Sequence, residues 1–473
     1  MANIKFGTSG WRAIISEDFT FENVDFVVQA VADYIKKSGA YDKTGKRVVV
    51  GYDTRFLSKE FARQAAAVFS ANGIKVLLCD RDTPTPAIAY HIIEKKCCGG
   101  INFTASHNPA GYNGIKFSPS TGGPATPDIT LIIEKNIKRL QKNKRPITCR
   151  PQERLIEEFD PREGYLDRIK SLVDIKAISR SGFKIACDCM YGTSRGYLDK
   201  VLGDCGIKTS VLHDYPNPGF GGKRPEPAEE NIVDLIGLVR AGSFEIGLAT
   251  DGDADRVGIV DSDGTYISPN EVIILLLHHF IANRNTKRKT VARTIPTTNM
   301  IDRIANRHGI KVIETPVGFK YFVKSILDND CIIAGEESGG LSISGHVPEK
   351  DGILACLLAA EMRAVEKRPI SSVLSSIYKE YGRLYYRRMD IGLTQSGKQM
   401  LLRRLSSKKI TSFAGISITA RDTKDGIKFS LKDGSWVLFR PSGTEPIVRI
   451  YVESVSTRSL TLLQKAVMGF TGR

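Results

Sequence analysis

Short apolar runs alternate along the chain with longer segments in which apolar residues recur every three or four positions. The short runs have the length and β-branched content of buried strands, and the longer segments have the period of amphipathic helices. The clearest predicted helices are 21–38 and 58–72, and the predicted strands are 47–53, 75–80, 100–103, 184–188, 245–250, 311–315 and 331–334. Alternation of this kind predicts βαβ units with mainly parallel sheets.

The last part of the chain departs from this alternation. Two predicted strands, at 435–439 and 447–452, flank a loop of sequence RPSGTEP and follow a helical stretch. This order predicts a smaller α+β domain over about 386–473. Upstream, the polar stretch 142–151 is typical of a linker, and Asp263-Gly264 predicts a hairpin turn near a second domain boundary.

Composition favours a globular protein with several cores. The chain has 473 residues, of which 41% are hydrophobic and 25% charged. No apolar run reaches the length of a membrane span, and the first residues lack the apolar segment of a secretion signal. The nine cysteines are an odd number and several lie in apolar runs, as free thiols do in a reducing compartment. We therefore expect a cytoplasmic protein without a membrane partner.

The formal net charge is +16. A solvated basic surface, a cleft for anions and a nucleic-acid-binding face would each account for it. Basic residues are spread through the sequence with short clusters at 135–145 and 284–289, and no helix-turn-helix, zinc-finger or RNA-recognition signature accompanies them. The charge therefore favours small anionic ligands and argues against a nucleic-acid partner.

Three polar motifs each follow a predicted apolar strand. They are TASHNP at 104–109, TDGDADR at 250–256 and GEESGG at 335–340. Open α/β sheets bind ligands at the carboxyl ends of their strands, and clefts between domains are common ligand sites. We therefore expect the three motifs to converge on one cleft.

The carboxylates of Asp251, Asp253 and Asp255 predict a site for a divalent cation. Hard oxygen ligands at alternate positions suit Mg²⁺ or Ca²⁺. An EF-hand calcium loop is excluded because Arg256 stands at its sixth position and Ser262 at its twelfth. An acidic surface turn is the alternative, but the preceding buried strand and the adjacent arginine favour a metal.

Ser106 is predicted to carry a phosphoryl group beside this metal. A hydrolase nucleophile is disfavoured because Ser106 lacks the G-x-S-x-G elbow and its neighbour His107 would not face it. Lys116, in the run NGIK, is a candidate proton shuttle. Each of these residues, taken alone, is more often structural or solvated.

Further motifs predict groups that would hold a sugar phosphate. Glu336 and Ser338 of GEESGG offer partners for hydroxyls, although a tight turn is an equal alternative. The RPSGTEP loop combines a guanidinium, two hydroxyls and glycine N–H groups, as a phosphate nest does. The motif GTSGWR would add an arginine and two hydroxyls, from Arg12, Thr8 and Ser9.

Taken in order, these motifs resemble those of the α-D-phosphohexomutase family, which includes phosphoglucomutases and phosphomannomutases. The motifs are GTSGWR, TASHNP, NGIK, DGDADR, TPVGFK, GEESGG and RPSGTEP, and the resemblance extends from Gly7 to Arg449. It implies an α/β fold of four domains around a central cleft, in which three related α/β domains with mixed sheets precede a smaller C-terminal α+β domain. Mixed sheets replace the mainly parallel sheets that the alternation alone predicts. The implied domains are 1–145 with the phosphoserine loop, 160–265 with the metal-binding loop, 266–385 with the sugar-binding loop and 386–473 with the phosphate-binding loop.

The resemblance also implies roles for the motif residues. Ser106 would carry the phosphoryl group and, with the three aspartates, would bind Mg²⁺. Lys116 and His107 would be the general acid and base, in an order that the sequence leaves open. Arg12 and Arg256 would lie beside the phosphoserine and the reacting hydroxyl. The residues implied for substrate contact are Thr8, Ser9, Lys320, Glu336, Ser338 and Lys350, and those implied for the non-reacting phosphate are Arg440, Ser442, Gly443 and Thr444.

The implied reaction interconverts glucose 1-phosphate and glucose 6-phosphate. The phosphorylated Ser106 would give its phosphoryl group to the free hydroxyl of a hexose phosphate. The resulting hexose 1,6-bisphosphate would turn over and return its other phosphate, so glucose 1,6-bisphosphate is expected as intermediate and activator. It carries a charge of roughly −4 near neutral pH, which suits a cationic cleft.

Substrate preference depends on the loop GEESGG, whose counterpart varies among family members with the sugar they use. Many dual-specificity members carry GEMSGH and phosphoglucosamine mutases a Gln-containing version, whereas this chain has Glu337 and Gly340. The Glu-Glu-Ser core and the motif PEKDG at 348–352 favour glucose, with phosphomannomutase or dual specificity as the alternative. A catalytically idle sugar-phosphate-binding regulatory protein is disfavoured because Ser106 and the aspartates are intact. We expect hexose phosphates as the partners, and a monomer or a homodimer.

Overall fold

The structure is a computed structural model that describes residues 3–39, 45–143, 150–284, 286–407, 409–442 and 447–471. The chain divides into two compact units, one formed by 1–292 with 318–373 and the other by 293–317 with 374–473. The predicted linker at 142–151 lies for the most part outside the described residues.

The elements alternate as the hydrophobic pattern predicts. The strands are β1 Trp11–Ile14, β2 Arg47–Tyr52, β3 Lys75–Cys79, β4 Gly99–Phe103, β5 Tyr112–Pro119, β6 Ile156–Phe159, β7 Lys184–Asp188, β8 Lys208–Leu212, β9 Ile246–Thr250, β10 Val257–Asp261, β11 Tyr266–Ile267, β12 Thr290–Thr294, β13 Lys311–Thr315, β14 Cys331–Gly335, β15 Leu341–Ser342, β16 Tyr385–Gly392, β17 Ser412–Phe413, β18 Ile416–Asp422, β19 Ile427–Leu431, β20 Trp436–Pro441 and β21 Ile447–Ser454. The helices are α1 Phe21–Lys37, α2 Ser58–Ala71, α3 Thr85–Glu94, α4 Pro127–Lys142, α5 Arg162–Leu172, α6 Ile175–Arg180, α7 Leu198–Asp204, α8 Val233–Ala241, α9 Pro269–Asn283, α10 Met300–Arg307, α11 Val323–Leu327, α12 Gly352–Glu366, α13 Ile370–Tyr381, α14 Gln395–Leu405 and α15 Thr457–Thr471.

The first sheet of the larger unit is mixed. Its order is β1-β5-β4-β2-β3-β6, in which β4, β2, β3 and β6 run parallel while β1 and β5 join antiparallel. Helices α1 and α2 pack on it through apolar faces, and the core is filled by residues such as Val27, Phe61, Val50 and Ile101. This arrangement brings β4 and β5 side by side, so the turn that follows β4 and holds Ser106 lies next to Lys116 on β5.

The second sheet of this unit is also mixed, with the order β11-β10-β9-β7-β8. Strands β8, β7 and β9 are parallel, whereas β10 and β11 pair antiparallel across the predicted Asp263-Gly264 hairpin. Strands β14 and β15 form a further antiparallel pair around GEESGG. The polar motifs after β4, β9 and β14 therefore follow buried strands, as predicted.

The smaller unit contains an antiparallel sheet in the order β16-β21-β20-β19-β18-β17. Helices α14 and α15 cover it, and Leu401, Phe429, Phe439, Ile450 and Leu463 lie in its core. The expected fold class, with mixed sheets in the α/β domains and a smaller α+β domain at the C-terminus, is confirmed.

Two composition-based expectations can be compared with the described residues. Every cysteine among them is a free, buried thiol. Within the same ranges, no helix combines the length and apolar content that crossing a bilayer requires.

Candidate functional site

Ser106 lies three residues beyond the end of β4, in a buried turn of the larger unit. Its backbone is left-handed, with φ of 52°, and its N–H donates to Thr104 Oγ1 at 2.9 Å. Its hydroxyl donates to Asp251 Oδ2 at 2.8 Å, although 145 positions separate the two residues in the sequence. The fold therefore brings the TASHNP and TDGDADR motifs into direct contact.

The three aspartates gather beyond the carboxyl end of β9. They are buried, and each offers one carboxylate oxygen within 4.8 Å of the other two. Asp251 Oδ1 also accepts hydrogen bonds from the backbone N–H groups of Asp255 and Arg256, at 2.8 and 3.0 Å. The loop thus turns its carboxylates inward rather than toward solvent.

Two lysines neutralise part of this charge. Lys116 Nζ, on β5, donates to Asp253 Oδ2 at 2.5 Å and to Asp255 Oδ2 at 2.7 Å. Lys350 Nζ lies 3.0 Å from the same Asp255 oxygen. Thr85 Oγ1 donates to Asp253 Oδ2 from the start of α3. The carboxylates are therefore held by cations and hydroxyls from several elements.

The donor set fits a divalent cation. Asp253 Oδ1 and Asp255 Oδ1 are buried and have no hydrogen-bond partner among the described residues. Buried polar atoms normally have partners, so two orphaned carboxylate oxygens in one loop point to a missing ligand. Hard oxygen donors of this kind match Mg²⁺.

Ionisation in the aspartate loop follows from burial and from neighbouring charges. Burial, together with the carboxylates of Asp255 and Asp253, raises the pKa of Asp251 well above its usual value. Burial would also raise the pKa values of Asp253 and Asp255, but Lys116 and its neighbours outweigh it and both pKa values are lowered.

The pKa values of the two candidate proton carriers, His107 and Lys116, are shifted in opposite directions. Burial, reinforced by Arg256 and Arg12, lowers the pKa of His107 well below its usual value, so the imidazole is neutral. Its Nδ1 is buried and has no hydrogen-bond partner within the described ranges. Burial would lower the pKa of Lys116 as well, but the aspartates outweigh it and the pKa is raised, so the amine stays protonated.

Arg12 and Arg256 lie at the same site. Arg12 donates to Asn108 Oδ1 at 2.7 Å, which ties the GTSGWR motif to the TASHNP turn. Arg256 donates to Glu226 Oε1 at 2.6 Å and approaches Asp255 Oδ1 at 4.0 Å. Both guanidinium groups therefore have an anchor and stand near the carboxylates.

The GEESGG and PEKDG motifs pack together beside the aspartate loop. Glu336 Oε1 accepts a hydrogen bond from the N–H of Gly318, in TPVGFK, at 3.0 Å. Burial raises the pKa of Glu336, against the lowering effect of Lys350. A Cβ at Gly340 would lie 2.2 Å from Lys350 Cδ, so the missing side chain there leaves the space in which Lys350 lies.

The other residues predicted to bind substrate in the larger unit are Lys320, Thr8, Ser9 and Ser338. Lys320 is partly buried, and its ammonium lies 5.6 Å from the ring centroid of Tyr321. Thr8 lies close to Gly318, because its Cγ2 is 3.2 Å from the position that a Cβ would take there. Ser338 is partly exposed in the turn after β14. The contacts described above for the aspartate loop involve none of Lys320, Ser9 and Ser338.

The phosphate-loop candidates lie in the smaller unit. Arg440 Nε donates to Asp425 Oδ2 at 2.9 Å, and the carbonyl of Ser442 accepts from Lys398 Nζ at 3.0 Å. Gly443 and Thr444 lie outside the described residues. Arg440 and Ser442 thus stand at the end of β20, immediately before the rest of the RPSGTEP loop.

Sequence reasoning missed several polar residues at the site. Arg55, Asp53, Thr85, Glu226 and Glu349 all contact the motif residues or their neighbours. Arg55 and Thr85 follow the ends of strands β2 and β3, at the same sheet edge as Ser106. That position was the available signal, because ligand sites collect at the carboxyl edge of parallel strands.

Comparison with protein families covers most of the chain. Four phosphoglucomutase/phosphomannomutase domain profiles match: the α/β/α domain I over residues 3–144, domain II over 163–264, domain III over 268–381 and the C-terminal domain over 401–469. They occur in the order in which the sequence motifs occur.

Similar proteins extend over nearly the same length. The chain is 32% identical to a phosphoglucomutase of Komagataeibacter xylinus, over 95% of this chain and 87% of the relative. It is 30% identical to a phosphoglucomutase/phosphomannomutase of Thermococcus kodakarensis, over 98% and 99%. A solved structure from Thermus thermophilus, provisionally named a phosphomannomutase, superposes with a TM-score of 0.86 at 32% identity over 100% of both chains.

Proposed function

This chain belongs to the phosphoglucomutase/phosphomannomutase family of isomerases, and we propose from that premise that it interconverts glucose 1-phosphate and glucose 6-phosphate through a phosphoserine at position 106. The observation that carries the proposal is the 2.8 Å hydrogen bond from Ser106 Oγ to Asp251 Oδ2. It sets a hydroxyl against a buried group of three carboxylates, which is the pairing that a metal-assisted phosphoryl carrier needs.

Mg²⁺ is the proposed cofactor. Asp251, Asp253, Asp255 and an oxygen on Ser106 would hold it, and when bound it would neutralise charge on the transferring phosphoryl oxygens. The orphaned oxygens of Asp253 and Asp255 support this assignment. The positive charges of Arg12 and Arg256 lie near the same carboxylates and would help to hold a phosphoryl group on Ser106.

The transfer itself exchanges one phosphorus–oxygen bond for another. The bond from phosphorus to Ser106 Oγ breaks while a bond to the sugar hydroxyl oxygen forms. The hydroxyl proton passes to an enzyme base, and the serine oxygen regains a proton from an enzyme acid. The hexose 1,6-bisphosphate formed in this way then turns over and phosphorylates Ser106 from its other end, so that the enzyme returns to its starting form.

The proton carriers are proposed to be His107 and Lys116. A neutral imidazole with a buried, unpartnered Nδ1 is suited to accept a proton. The protonated Lys116, held by Asp253 and Asp255, is suited to donate one. The reverse transfer exchanges the two roles.

The sugar and its second phosphate are assigned to the remaining motifs. Glu336 and Ser338 would bind hydroxyls, Lys350 and Lys320 would contact the substrate, and Thr8 and Ser9 would add hydroxyl donors. The non-reacting phosphate would bind to the loop that contains Arg440, Ser442, Gly443 and Thr444, where a guanidinium and backbone N–H groups suit a dianion.

Glucose is proposed as the preferred sugar, with mannose or dual specificity as the alternative. Lys350 fills the space beside Gly340 that a side chain there would need, whereas the GEMSGH loop of dual-specificity members carries histidine at this position. The Komagataeibacter relative is named for glucose, whereas the Thermococcus relative is named for both sugars. The ratio of kcat/KM for glucose 1-phosphate and mannose 1-phosphate decides the order, and a larger value for mannose would reverse it.

Intact-mass spectrometry with glucose 1,6-bisphosphate tests the reaction class. We expect the protein to gain one phosphoryl group, and peptide mapping to locate it on Ser106. The Ser106→Ala variant is expected to gain nothing, to lose turnover and still to bind glucose 1-phosphate by calorimetry. A wild-type protein that turns over substrate without ever carrying a phosphoryl group would overturn the proposal.

A further inference from the structure

Arg55 is a buried arginine that the proposed chemistry does not use. It follows β2, and its side chain reaches the turn that holds Ser106. Its NH2 group donates to the backbone carbonyls of Ser106 and Asn108, at 2.6 Å each. Its NH1 group donates to the carbonyls of Pro109 and Tyr112, at 2.8 and 3.0 Å. One guanidinium thus binds four carbonyls along a single turn.

The guanidinium is itself held in place. Its Nε lies 3.2 Å from Asp53 Oδ2, and both side chains have 0% exposure. Asp53 Oδ1 in turn accepts from the Arg55 N–H at 2.9 Å and from Ser58 Oγ at 2.8 Å. The ring of Phe220 covers the guanidinium at 4.9 Å from ring centroid to Cζ.

The turn needs an external support of this kind. Residues 104–111 lie in neither a helix nor a strand, and few backbone hydrogen bonds close the turn from within, such as Asn108 N–H to the Ala105 carbonyl at 3.1 Å. Ser106 also has a left-handed φ of 52°, which an L-residue adopts only when its surroundings fix it. Carbonyls that point at one planar, five-donor group supply that constraint.

We propose that Arg55 is a positioning residue for phosphoryl transfer. It fixes the direction in which Ser106 Oγ points, and it does so through the backbone of the turn without touching the transferred group. The inference rests on the proposed function, since it assumes that Ser106 accepts and donates the phosphoryl group. Lysine cannot replace it, because an ammonium is a single point of charge that cannot bind four carbonyls in one plane.

The test is the rate at which Ser106 becomes phosphorylated. Glucose 1,6-bisphosphate is mixed with the unphosphorylated full-length protein, and the modified fraction is followed by intact mass. In this step a phosphorus–oxygen bond to the sugar breaks, a bond to Ser106 Oγ forms, and the serine proton passes through the enzyme to the released glucose monophosphate. For Arg55→Lys we expect this rate and kcat to fall about 100-fold, the usual consequence of moving a reacting atom by about 1 Å. The KM for glucose 1-phosphate is expected to change by less than about threefold, because substrate contacts are not removed.

Arg81 provides a matched control. It follows β3 at the same sheet edge, donates to the carbonyl of Arg195 at 3.0 Å and lies over the ring of Tyr197, and neither of these contacts involves the Ser106 turn. Arg81→Lys is expected to keep the wild-type phosphorylation rate within about twofold. Asp53→Asn is the second variant, since it leaves Arg55 in place and weakens its anchor, and we expect about a tenfold loss of rate.

Each outcome decides the inference. A loss of at least about tenfold in a folded Arg55→Lys protein supports it, and a smaller loss overturns it. If Arg55→Lys does not fold, Asp53→Asn decides by the same measurement, with a wild-type rate overturning the inference. Failure of both variants to fold would also overturn it, because the pair would then serve folding rather than the direction of Ser106. Absence of phosphorylation in the wild-type protein would contradict the proposed function instead, so the two failures are distinguishable.

Discussion

Single residues at the site owe their ionisation to burial and to a few close charges. Lys116 lowers the pKa of Asp253 and Asp255 against the effect of burial, whereas burial raises the pKa of Asp251, which accepts hydrogen bonds from backbone N–H groups and from Ser106. The loop gathers three buried carboxyl groups, and one oxygen each of Asp253 and Asp255 has no hydrogen-bond partner among the described residues. A divalent cation would bind these two oxygens.

Metal binding is therefore expected to stabilise the folded protein. Magnesium at about 100 times its dissociation constant should add about 2.7 kcal/mol to the free energy of unfolding, because it binds the folded site alone. Differential scanning calorimetry with and without Mg²⁺ measures the shift, and chelation should abolish turnover. In Asp253→Asn the shift should be lost, whereas it should persist in Asp263→Asn, which alters a carboxylate in the exposed hairpin. An equal shift in all three proteins would place the metal elsewhere.

The proposed role of His107 as a base predicts a pH profile for the reaction. The pKa of His107 lies well below the usual value of about 6.5, so a base at this position is already deprotonated across the neutral range. We expect kcat/KM for glucose 1-phosphate to stay level from about pH 8 to about pH 6.5 and to fall only in more acidic solution, as the imidazole gains a proton. Comparison with His107→Gln identifies the limb that belongs to the imidazole. A histidine-dependent limb centred above about pH 6.5 would contradict the assignment.

At the scale of elements, the site is built where the ends of helices and strands meet, and the start of helix α12 is an example. Helix α12 begins directly after Asp351, the residue that follows Lys350, and Asp351 caps it by accepting the Leu354 N–H at 2.8 Å. The same carboxylate accepts from Tyr165 at 2.8 Å and pairs with His346 at 2.7 Å. Gly352 makes the approach possible, because a Cβ there would lie 2.2 Å from the carbonyl oxygen of Arg256. The helix start thus connects PEKDG to the aspartate loop.

Glu361 fixes the same helix further along. It pairs with His279 at 2.9 Å and with Arg284 Nε at 2.7 Å. Burial alone would raise the pKa of Glu361, but hydrogen bonds from these two residues outweigh it and lower the pKa to about 2. A carboxyl that ionises more readily in the folded state stabilises that state above the unfolded pKa and loses this effect as pH falls toward the folded pKa.

The wild-type protein should therefore be more stable than Glu361→Gln by roughly 3 kcal/mol at pH 7. The difference should shrink between about pH 5 and pH 2, as Glu361 becomes protonated. Urea denaturation at a series of pH values measures it. A difference that does not depend on pH would show that Glu361→Gln destabilises the protein through altered packing and not through loss of the negative charge.

The hydrophobic pattern predicted some strands to the residue and missed others. Strands 184–188 and 311–315 have the predicted bounds, because apolar runs between turn signals leave little choice. Strand β6 was missed, since its sequence Ile-Glu-Glu-Phe resembles a polar segment and only its pairing with β3 at the sheet edge makes it a strand. Boundaries elsewhere shifted by a residue or so, as at Tyr52 and Lys37.

Prediction of the site residues likewise succeeded where the signal is local in the sequence. Ser106, Lys116 and the aspartates stand in compact motifs whose chemistry can be read locally, and the structure brings them together. Arg55 has no motif, because a lone arginine after a strand resembles many solvated ones. Its role depends on carbonyls about fifty positions away, a proximity that only the folded chain reveals.

At the scale of the whole molecule, the charge of +16 is the feature most relevant to substrate capture. A cationic protein attracts anionic hexose phosphates over distances comparable to the Debye length, about 10 Å at 0.1 M salt. The charge is a property of the full sequence rather than of any one motif.

Added salt is therefore expected to lower the rate of substrate binding more than the rate of the chemical step. Raising potassium chloride from about 0.05 M to about 0.5 M should lower kcat/KM for glucose 1-phosphate several-fold and change kcat by less than about twofold. Initial rates at saturating and at limiting substrate separate the two constants. Equal losses in both would point to an effect on the folded site instead of on encounter.

The left-handed backbone at position 106 limits which amino acid can serve there. A branched Cβ is strongly disfavoured at positive φ, so threonine would bring the same functional group with a strained main chain or a displaced oxygen. Ser106→Thr should consequently fold and yet phosphorylate slowly, as a rate measurement by intact mass would reveal. Main-chain geometry thus restricts which alcohol side chain could carry the proposed phosphoryl group at this position, independently of the reactivity of the hydroxyl.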